Sequence, residues 1–269
     1  MSTGPSQEVV PAGVPGQTKA ERVQAMFARI VPRYDAMNTI MTGGLHRRWR
    51  RAAAGLAEPR GAVALDVGSG TGDLALALAR AGARRVIGVD FCAEMLSVAR
   101  AKAKAAALDS TVSFAVGDAL RLPFPDRSFD RVVNGFLLRN VADLPGALAE
   151  MARVLKPGGR LVCLEITHPP AAVAPFARLY FGLVVPLLGA AITGEADAYR
   201  YLPASLAPLP NVQRLARMLT DAGFVDVRAQ RLGFGTVALH QGLRSPRSPD
   251  SERPAGTPLA SPRSSDEYV

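Results

Sequence analysis

The sequence predicts an α/β fold: a doubly wound, seven-stranded, mostly parallel sheet with a terminal antiparallel hairpin and an N-terminal helical cap. Three observations carry this. Short β-branched runs at 63–67, 85–90, 112–117, 129–134 and 160–165 alternate with helical spacing at 73–81, 93–107 and 143–155, the pattern of parallel strands joined by crossover helices. A glycine-rich turn follows the first strand. After a helix at 211–222, strands at 224–231 and 236–240 follow each other with no helix between them, which requires an antiparallel pair.

Each element has a local reason. The helix at 143–155 stops at Lys156-Pro157-Gly158-Gly159, with proline and glycines just past its end. Residues 18–56 read as two or three helices covering the sheet before the first strand. Residues 1–17 and 243–269 are Pro/Gly/Ser-rich or Ser/Pro/Arg-rich and lack periodicity, so both are expected to be disordered tails around one domain at 18–242.

Composition narrows the function. The net charge of +9 falls on residues 21–242, because four arginines balance four acids in the C-terminal segment. Only Lys19, Lys102, Lys104 and Lys156 are lysines; the remaining basic residues are arginine. No basic module interleaved with aromatics is present, which argues against a nucleic-acid partner. The two cysteines, Cys92 and Cys163, suit a reduced, cytoplasmic chain without disulfides or a metal site. No secretory leader is expected, and the apolar run at 179–192 contains Pro186 and is shorter than the roughly 20 residues of a membrane span.

The turn reads Asp66-Val67-Gly68-Ser69-Gly70-Thr71-Gly72-Asp73. Glycines here let a ligand approach the backbone at the C-terminal edge of the sheet. Asp90 ends the second strand, where a carboxylate can accept both hydroxyls of an adenosine ribose, and Asp118 ends the third, beside the expected adenine edge. A dinucleotide needs G-x-G-x-x-G and a pyrophosphate. Here the spacing is G-x-G-x-G, and Asp66 and Asp73 would repel that anion but suit a sulfonium and an ammonium. The expected methyl donor and cofactor is therefore S-adenosyl-L-methionine.

Several further segments resemble the C-methyltransferases of ubiquinone and menaquinone biosynthesis over about residues 20–242. They are Met26-Phe-Ala-Arg-Ile-Val-Pro-Arg-Tyr-Asp35, Gly44-Leu-His-Arg-Arg-Trp-Arg50, Gly70-Thr-Gly-Asp73, Leu122-Pro-Phe-Pro125, Leu138-Arg-Asn140, Arg153-Val-Leu-Lys-Pro-Gly-Gly159, Tyr199-Arg-Tyr-Leu202 and Ala238-Leu-His240. The resemblance implies that Thr71, Asp90, Asp118 and Ala119 contact the donor, and that the acceptor is a lipophilic quinol, demethylmenaquinol or the ubiquinol precursor. It also implies departures: Gly135 stands where the family usually has Ser, Leu137 replaces a Gly, Thr167-His168-Pro169 replaces a Ser-Arg/Lys-Pro, and Gly43 lies in a variant loop. These are expected to cluster around the acceptor pocket.

Ring-carbon methylation needs an electron-rich ring held in line with the methyl group and help for the departing hydroxyl proton. Arg139 and Asn140 are candidates for stabilising the phenolate. The competing reading pairs Arg139 structurally with Asp118 or Asp143. Tyr34, Tyr199 and Tyr201 carry polar tips that can reach a quinol hydroxyl, Tyr201 being the catalytic candidate; the alternative is aromatic packing in a lid. His46, His168 and His240 read more readily as structural. The segment 176–192 fits either the wall of an isoprenoid site or a buried core helix. Arg47-Arg48-Trp49-Arg50-Arg51 fits either anionic lipid headgroups, as in peripheral association with the inner face of the cell membrane, or a solvated helix face with Trp49 turned inward. A homodimer is compatible with the sequence. The rivals are a methyltransferase of another small aromatic or polyketide-like metabolite and a donor-binding subunit without turnover.

Overall fold

Thr18 opens the described chain by capping helix α1 (Lys19–Thr42): its hydroxyl accepts the Glu21 amide while the Glu21 carboxylate accepts the Thr18 amide, a reciprocal capping box. The computed structural model describes residues 18–187, 205–206 and 208–246. The tail expected at 1–17, Tyr199 and Tyr201, the end of the 176–192 segment and most of the tail expected at 243–269 lie outside those residues. Gly43 and Gly44, both left-handed at φ 55° and 77°, turn the chain into α2 (Leu45–Leu56). The helical cap is thus two helices.

The sheet has seven strands in the order β3-β2-β1-β4-β5-β7-β6. Strands β1 (Val63–Val67), β2 (Arg85–Asp90), β3 (Val112–Val116), β4 (Phe129–Gly135) and β5 (Leu155–Ile166) run parallel, and β7 (Val237–Arg244) lies antiparallel between β5 and β6 (Phe224–Leu232). Helices α3 (Asp73–Arg80), α4 (Ala93–Ala105), α5 (Leu144–Val154) and α7 (Val212–Asp221) cover its faces. One core, with Leu148, Met151, Leu215 and Leu219, packs on one face; a second, with Ala53, Leu74, Leu78 and Val162, packs on the other. Strand order reverses between β1 and β4, so the crevice for a ligand opens at their C-terminal ends.

Two boundaries differ from the sequence reading. Strand pairing begins at Leu155, opposite Phe129, and a register shift then carries the chain past Lys156-Pro157-Gly158-Gly159 to the Arg131↔Arg160 pair. The expected turn is therefore a bulge within β5, with Gly158 at φ 72°. Strand β7 crosses the limit expected at 242, because Leu243 pairs with Arg160 and Arg244 with Phe224.

The stretch from 174 is not a core helix. Helix α6 (Ala174–Leu179) continues through a π-turn at Tyr180–Val184, and Phe176, Leu179, Leu183 and Leu187 are exposed. From this stretch Val185 is buried in a third apolar cluster with Val23, Met26, Ile30 and Met37 of α1, and Tyr180 and Phe181 pack against it. α1 and this segment together form a lid above the C-terminal edge of the sheet.

Candidate active site

The glycine turn closes over the ends of β1 and β2. The Gly68 and Ser69 amides donate to the Val89 carbonyl at 2.8 and 3.0 Å, and the Gly70 amide donates to Asp90 Oδ2 at 2.8 Å. The Cys92 amide donates to Asp90 Oδ1 at 2.9 Å. Burial raises the Asp90 pKa, and these amides partly offset it. Each oxygen keeps a lone pair for a further donor, as two ribose hydroxyls require. Asp118 follows at the adjacent strand end, exposed, its Oδ1 accepting the Leu120 amide at 2.9 Å, with Ala119 packed half-buried beside it. A Cβ at Gly70 would meet nothing within 4 Å, so the backbone there faces open space.

Asp66, 1% exposed, lies behind the turn. Neither carboxylate oxygen completes a hydrogen bond with a described group, and burial pushes its pKa to about 8; Arg50 and the Ala75 amide, which falls short of hydrogen-bond geometry, offset this only in part. An orphaned buried carboxyl at the end of β1 is suited to a cationic ligand. Asp66, Gly68, Gly70, Thr71 and Gly135 line one narrow cleft with Tyr34 and Arg50. The donor set thus fits S-adenosylmethionine: acids for its cationic end and Asp90 for its ribose.

Thr71 is tied to the lid. Its hydroxyl donates to Asp35 Oδ1 at 2.7 Å, and Lys102 Nζ donates to Asp35 Oδ2 at 3.0 Å, to Thr71 Oγ1 at 3.3 Å and, through a short contact, to Asp73. Lys102 thereby joins α1, α3 and α4. The Asp73 pKa ends lowered: burial raises it, but the charges of Lys102 and Arg50 outweigh burial.

Beside the cleft lies an apolar cavity of about 690 Å³ between α1, α2, α6 and the β6–β7 turn. Met41, Trp49, Phe136, Phe176, Tyr180 and Val237 contribute to its wall. Tyr34 and Arg50 line both spaces, so cleft and cavity meet there. Arg139 also lines the cavity; its Nη1 lies 3.0 Å from Oε1 of Glu165, which is 1% exposed. The structural pairing of Arg139 is therefore with Glu165, not with Asp118 or Asp143. Arg139 Nη1 and Asn140 Nδ2 also donate to the carbonyl of Phe136, a left-handed residue at φ 62°.

His46 is buried where α1 meets α2. Its Nδ1 receives an Arg50 N–H, since a guanidinium can only donate. Thr39 spends its own hydroxyl proton on the Asp35 carbonyl at 2.8 Å, so His46 Nε2–H donates to Thr39 Oγ1 at 3.2 Å. Burial and the Arg50 charge lower the His46 pKa to about 4, in keeping with this neutral tautomer. His168 and His240 each direct Nε2 to a main-chain carbonyl, of Leu209 at 2.9 Å and Val212 at 3.0 Å, and are structural.

Residues 16–244 match the sequence profile of the ubiE/COQ5 methyltransferase family. The chain belongs to that family. A demethylmenaquinone methyltransferase of Deinococcus radiodurans is 48% identical over 233 residues, 84% of this chain and 94% of that protein. One of Thermus thermophilus is 48% identical over 222 residues, 81% of this chain and 100% of that protein. A crystal structure of a SAM-dependent methyltransferase from Thermotoga maritima superposes with a TM-score of 0.62 at 19% identity, covering 83% of this chain and all of that one, which establishes the common fold.

The positions that the resemblance marks as departures are spread over the site rather than gathered around the apolar cavity alone. Gly135 lines the donor cleft, and a Cβ there would meet Leu74 Cδ2 at 3.3 Å. Leu137 is buried behind the glycine turn, 2.7 Å from where a Gly68 Cβ would stand. Gly43 faces open space at the α1–α2 turn, whereas Thr167, His168 and Pro169 line a cavity of about 520 Å³ that shares Ile166, Ala177, Phe181 and Thr236 with the first. The arginine cluster divides: Arg47, Arg48 and Arg51 are exposed, Trp49 turns inward, and Arg50 is buried in the site. Asp35, Arg50, Lys102 and Glu165 also belong to the site, although the sequence pattern does not mark them as site residues. Lys102 had one readable signal: it is one of four lysines in an arginine-rich chain, at a place where a compact charge must serve three acceptors. Among the described residues no cluster of His, Cys, Asp or Glu can hold a metal ion, both cysteines are buried and free, and no helix is long and apolar enough to cross a membrane.

Proposed function

We propose that this chain transfers the methyl group of S-adenosylmethionine to a ring carbon of a polyprenylated quinol, demethylmenaquinol foremost and the ubiquinol precursor second. The observation that carries the reading is the shared wall: an apolar cavity of about 690 Å³ meets the donor cleft at Tyr34 and Arg50. The names of the relatives at 48% identity point to the same acceptor.

S-adenosylmethionine supplies, when bound, an electrophilic methyl group on a sulfonium. The chain's own residues do the rest. Asp90 takes the ribose, and Asp66 and Asp73 face the cationic end. Gly68, Gly70 and Gly72 let the backbone approach the ligand, and Thr71 holds the turn to α1 through Asp35. Asp118 and Ala119 border the adenine. The cavity wall of Met41, Trp49, Phe176 and Tyr180 excludes water from the ring, which strengthens every charge interaction inside. Arg139 and Asn140 fix the Phe136 turn between the two spaces.

The exposed apolar residues at the cavity mouth support association with a membrane surface, where such a substrate resides. Phe176, Leu179 and Phe234 line the cavity and are 74%, 61% and 86% exposed. Arg47, Arg48 and Arg51 stand on the neighbouring helix α2, suited to anionic headgroups.

The test is to incubate the protein with S-adenosylmethionine labelled in its methyl group and reduced demethylmenaquinone, then to locate the label by mass spectrometry. Label on the quinol ring carbon is expected. Label confined to another acceptor, or donor binding without turnover on a panel of quinols, would overturn the reading.

A further inference from the structure

Two arginines line the acceptor cavity, and they are not equivalent. Arg139 is neutralised by Glu165 at 3.0 Å, its Nη1 is shared between that carboxylate and the Phe136 carbonyl, and its Nε is buried without a partner. Arg50 makes one hydrogen bond among the described residues, to His46 Nδ1. Its nearest carboxylate, Asp73 Oδ2, is 3.8 Å away, and Asp73 is already engaged by Lys102. The Arg50 guanidinium stands 5.5 Å over the centroid of the Phe136 ring. It is thus a buried cation with uncommitted N–H donors, located where the cleft and the cavity meet.

We propose that Arg50 is a catalytic residue that holds the ionised hydroxyl of the acceptor beside the methyl donor, and that His46 is its positioning residue. The inference rests on the acceptor being a hydroxylated aromatic ring. The ring hydroxyl gives its proton to solvent, and the oxyanion is held by the free Arg50 donors. The electron pair moves into the ring, and the adjacent carbon forms the new bond to the methyl group as the sulfur–methyl bond breaks and its electrons remain on sulfur. The ring carbon then loses its proton, aromaticity returns with the charge again on oxygen, and the oxyanion takes one proton back from solvent. One methyl is gained, one sulfonium becomes a thioether and one net proton is released.

The surroundings favour this use of Arg50. Asp73 of α3, 3.8 Å away, and Asp66 of β1 face it; Lys102 of α4 offsets Asp73 and also binds Asp35 of α1. Arg139 and Asn140 secure the Phe136 carbonyl and thereby the ring beneath Arg50. Their part is positioning. His46 keeps its Nδ1 lone pair for Arg50 because Thr39 Oγ1, already committed as a donor, leaves Nε2 the proton.

The experiment uses the full chain and 1-naphthol, whose ionised form is read by ultraviolet absorbance, and needs no turnover. Wild type is expected to lower the pKa of bound 1-naphthol by about one unit, a tenfold preference for the anion. Arg50→Met should abolish the shift, Arg50→Lys should keep part of it, and His46→Phe should weaken it while His46→Asn, which retains an acceptor, preserves it. Arg139→Met combined with Glu165→Gln, which strands no buried charge, should leave more of it than Arg50→Met does. In turnover, Arg50→Met should lower kcat about 100-fold with little change in KM, the effect of losing an oxyanion donor. Circular dichroism of each variant identifies any that misfold, and Arg50→Lys then carries the comparison. No shift in wild type, an equal shift in Arg50→Met, or a shift lost only when Arg139→Met is combined with Glu165→Gln overturns the inference. A shift that depends on Arg50 in a protein that methylates no quinol upholds Arg50 and overturns the quinol reading instead.

Discussion

Arg139 Nη1 and Glu165 Oε1 stand 3.0 Å apart on the border of an apolar cavity, and the Glu165 side chain is all but inaccessible. Burial raises the Glu165 pKa, and the Arg139 charge and two amides, of Ile166 and Arg139, counter it. Removing one partner strands the other. Arg139→Met is expected to cost about 3–5 kcal/mol of stability, and Arg139→Met with Glu165→Gln to recover much of that, because a neutral pair carries no desolvated charge. Urea unfolding of the three proteins measures it. An Arg139→Met variant as stable as wild type would show that the pair is energetically neutral.

Asp66 gives a pH prediction with a definite sign. Its folded pKa of about 8 lies above the ordinary carboxylate value of 3.8, so the folded state binds its proton more tightly than the unfolded state. The stability advantage is complete below pH 4 and is lost as pH rises toward 8. Asp66→Asn should therefore gain on wild type progressively over that window, measured by urea midpoints at pH 5 and 8.5. A cationic donor beside Asp66 favours its ionised form. Binding of S-adenosylmethionine near pH 7 should thus release a proton, seen as a dependence of calorimetric heat on the buffer's ionisation enthalpy, and Asp66→Asn should abolish it.

The glycine turn shows how far the residues alone could be read. Asp90, Asp118 and the three glycines sit at strand ends because alternating strands and helices place them there, and periodicity reveals that order directly. The partners of those residues were less legible. Asp35 reaches Thr71 and Lys102 only because α1 folds back over the sheet edge, and Lys102 reaches Asp73 across from α4 to α3, tertiary events that leave no local pattern. In the sequence Glu165 reads only as the end of a strand, and its ion pair depends on the left-handed Phe136 turn bringing Arg139 across to β5. The acceptor side stays open between two readings in the sequence for a related reason: an apolar run at helical spacing reads alike whether it faces a core or lines the mouth of a cavity.

Gly68 and Gly70 separate two ways of losing the donor. A Cβ at Gly68 would stand 2.7 Å from Leu137 Cδ1, and φ is +69°, so Gly68→Ala must displace the turn. It should lower both stability and S-adenosylmethionine affinity. A Cβ at Gly70 meets no atom within 4 Å, leaving only the strain of φ +52°. Gly70→Ala should cost about 1 kcal/mol of stability, yet weaken donor binding severely because the new methyl enters the ligand's space. Thermal melts with and without donor distinguish the two; unchanged affinity in Gly70→Ala would place the ligand elsewhere.

The lid offers a prediction about the membrane. Phe176, Leu179, Leu183 and Leu187 are spaced three and four residues apart, form one exposed stripe along α6 and its continuation, and are 74%, 61%, 52% and 61% exposed. Phe234, 86% exposed, is presented beside the same cavity by a turn in which it adopts φ 55°. A water-exposed stripe of this kind gains nothing from folding, but burying one leucine in lipid is worth about 1.5–3 kcal/mol. Leu179→Glu or Leu183→Glu should leave the thermal midpoint nearly unchanged, since neither side chain is buried, and should weaken binding to vesicles of mixed zwitterionic and anionic lipid by about tenfold or more. Arg47, Arg48 and Arg51 changed together to Gln should remove the preference for anionic vesicles and the sensitivity of binding to salt, because headgroup attraction is screened within about 8 Å at physiological ionic strength. Co-sedimentation at low and high salt reads both effects. Vesicle binding indifferent to the leucines and to salt would mean that the stripe serves the lid alone.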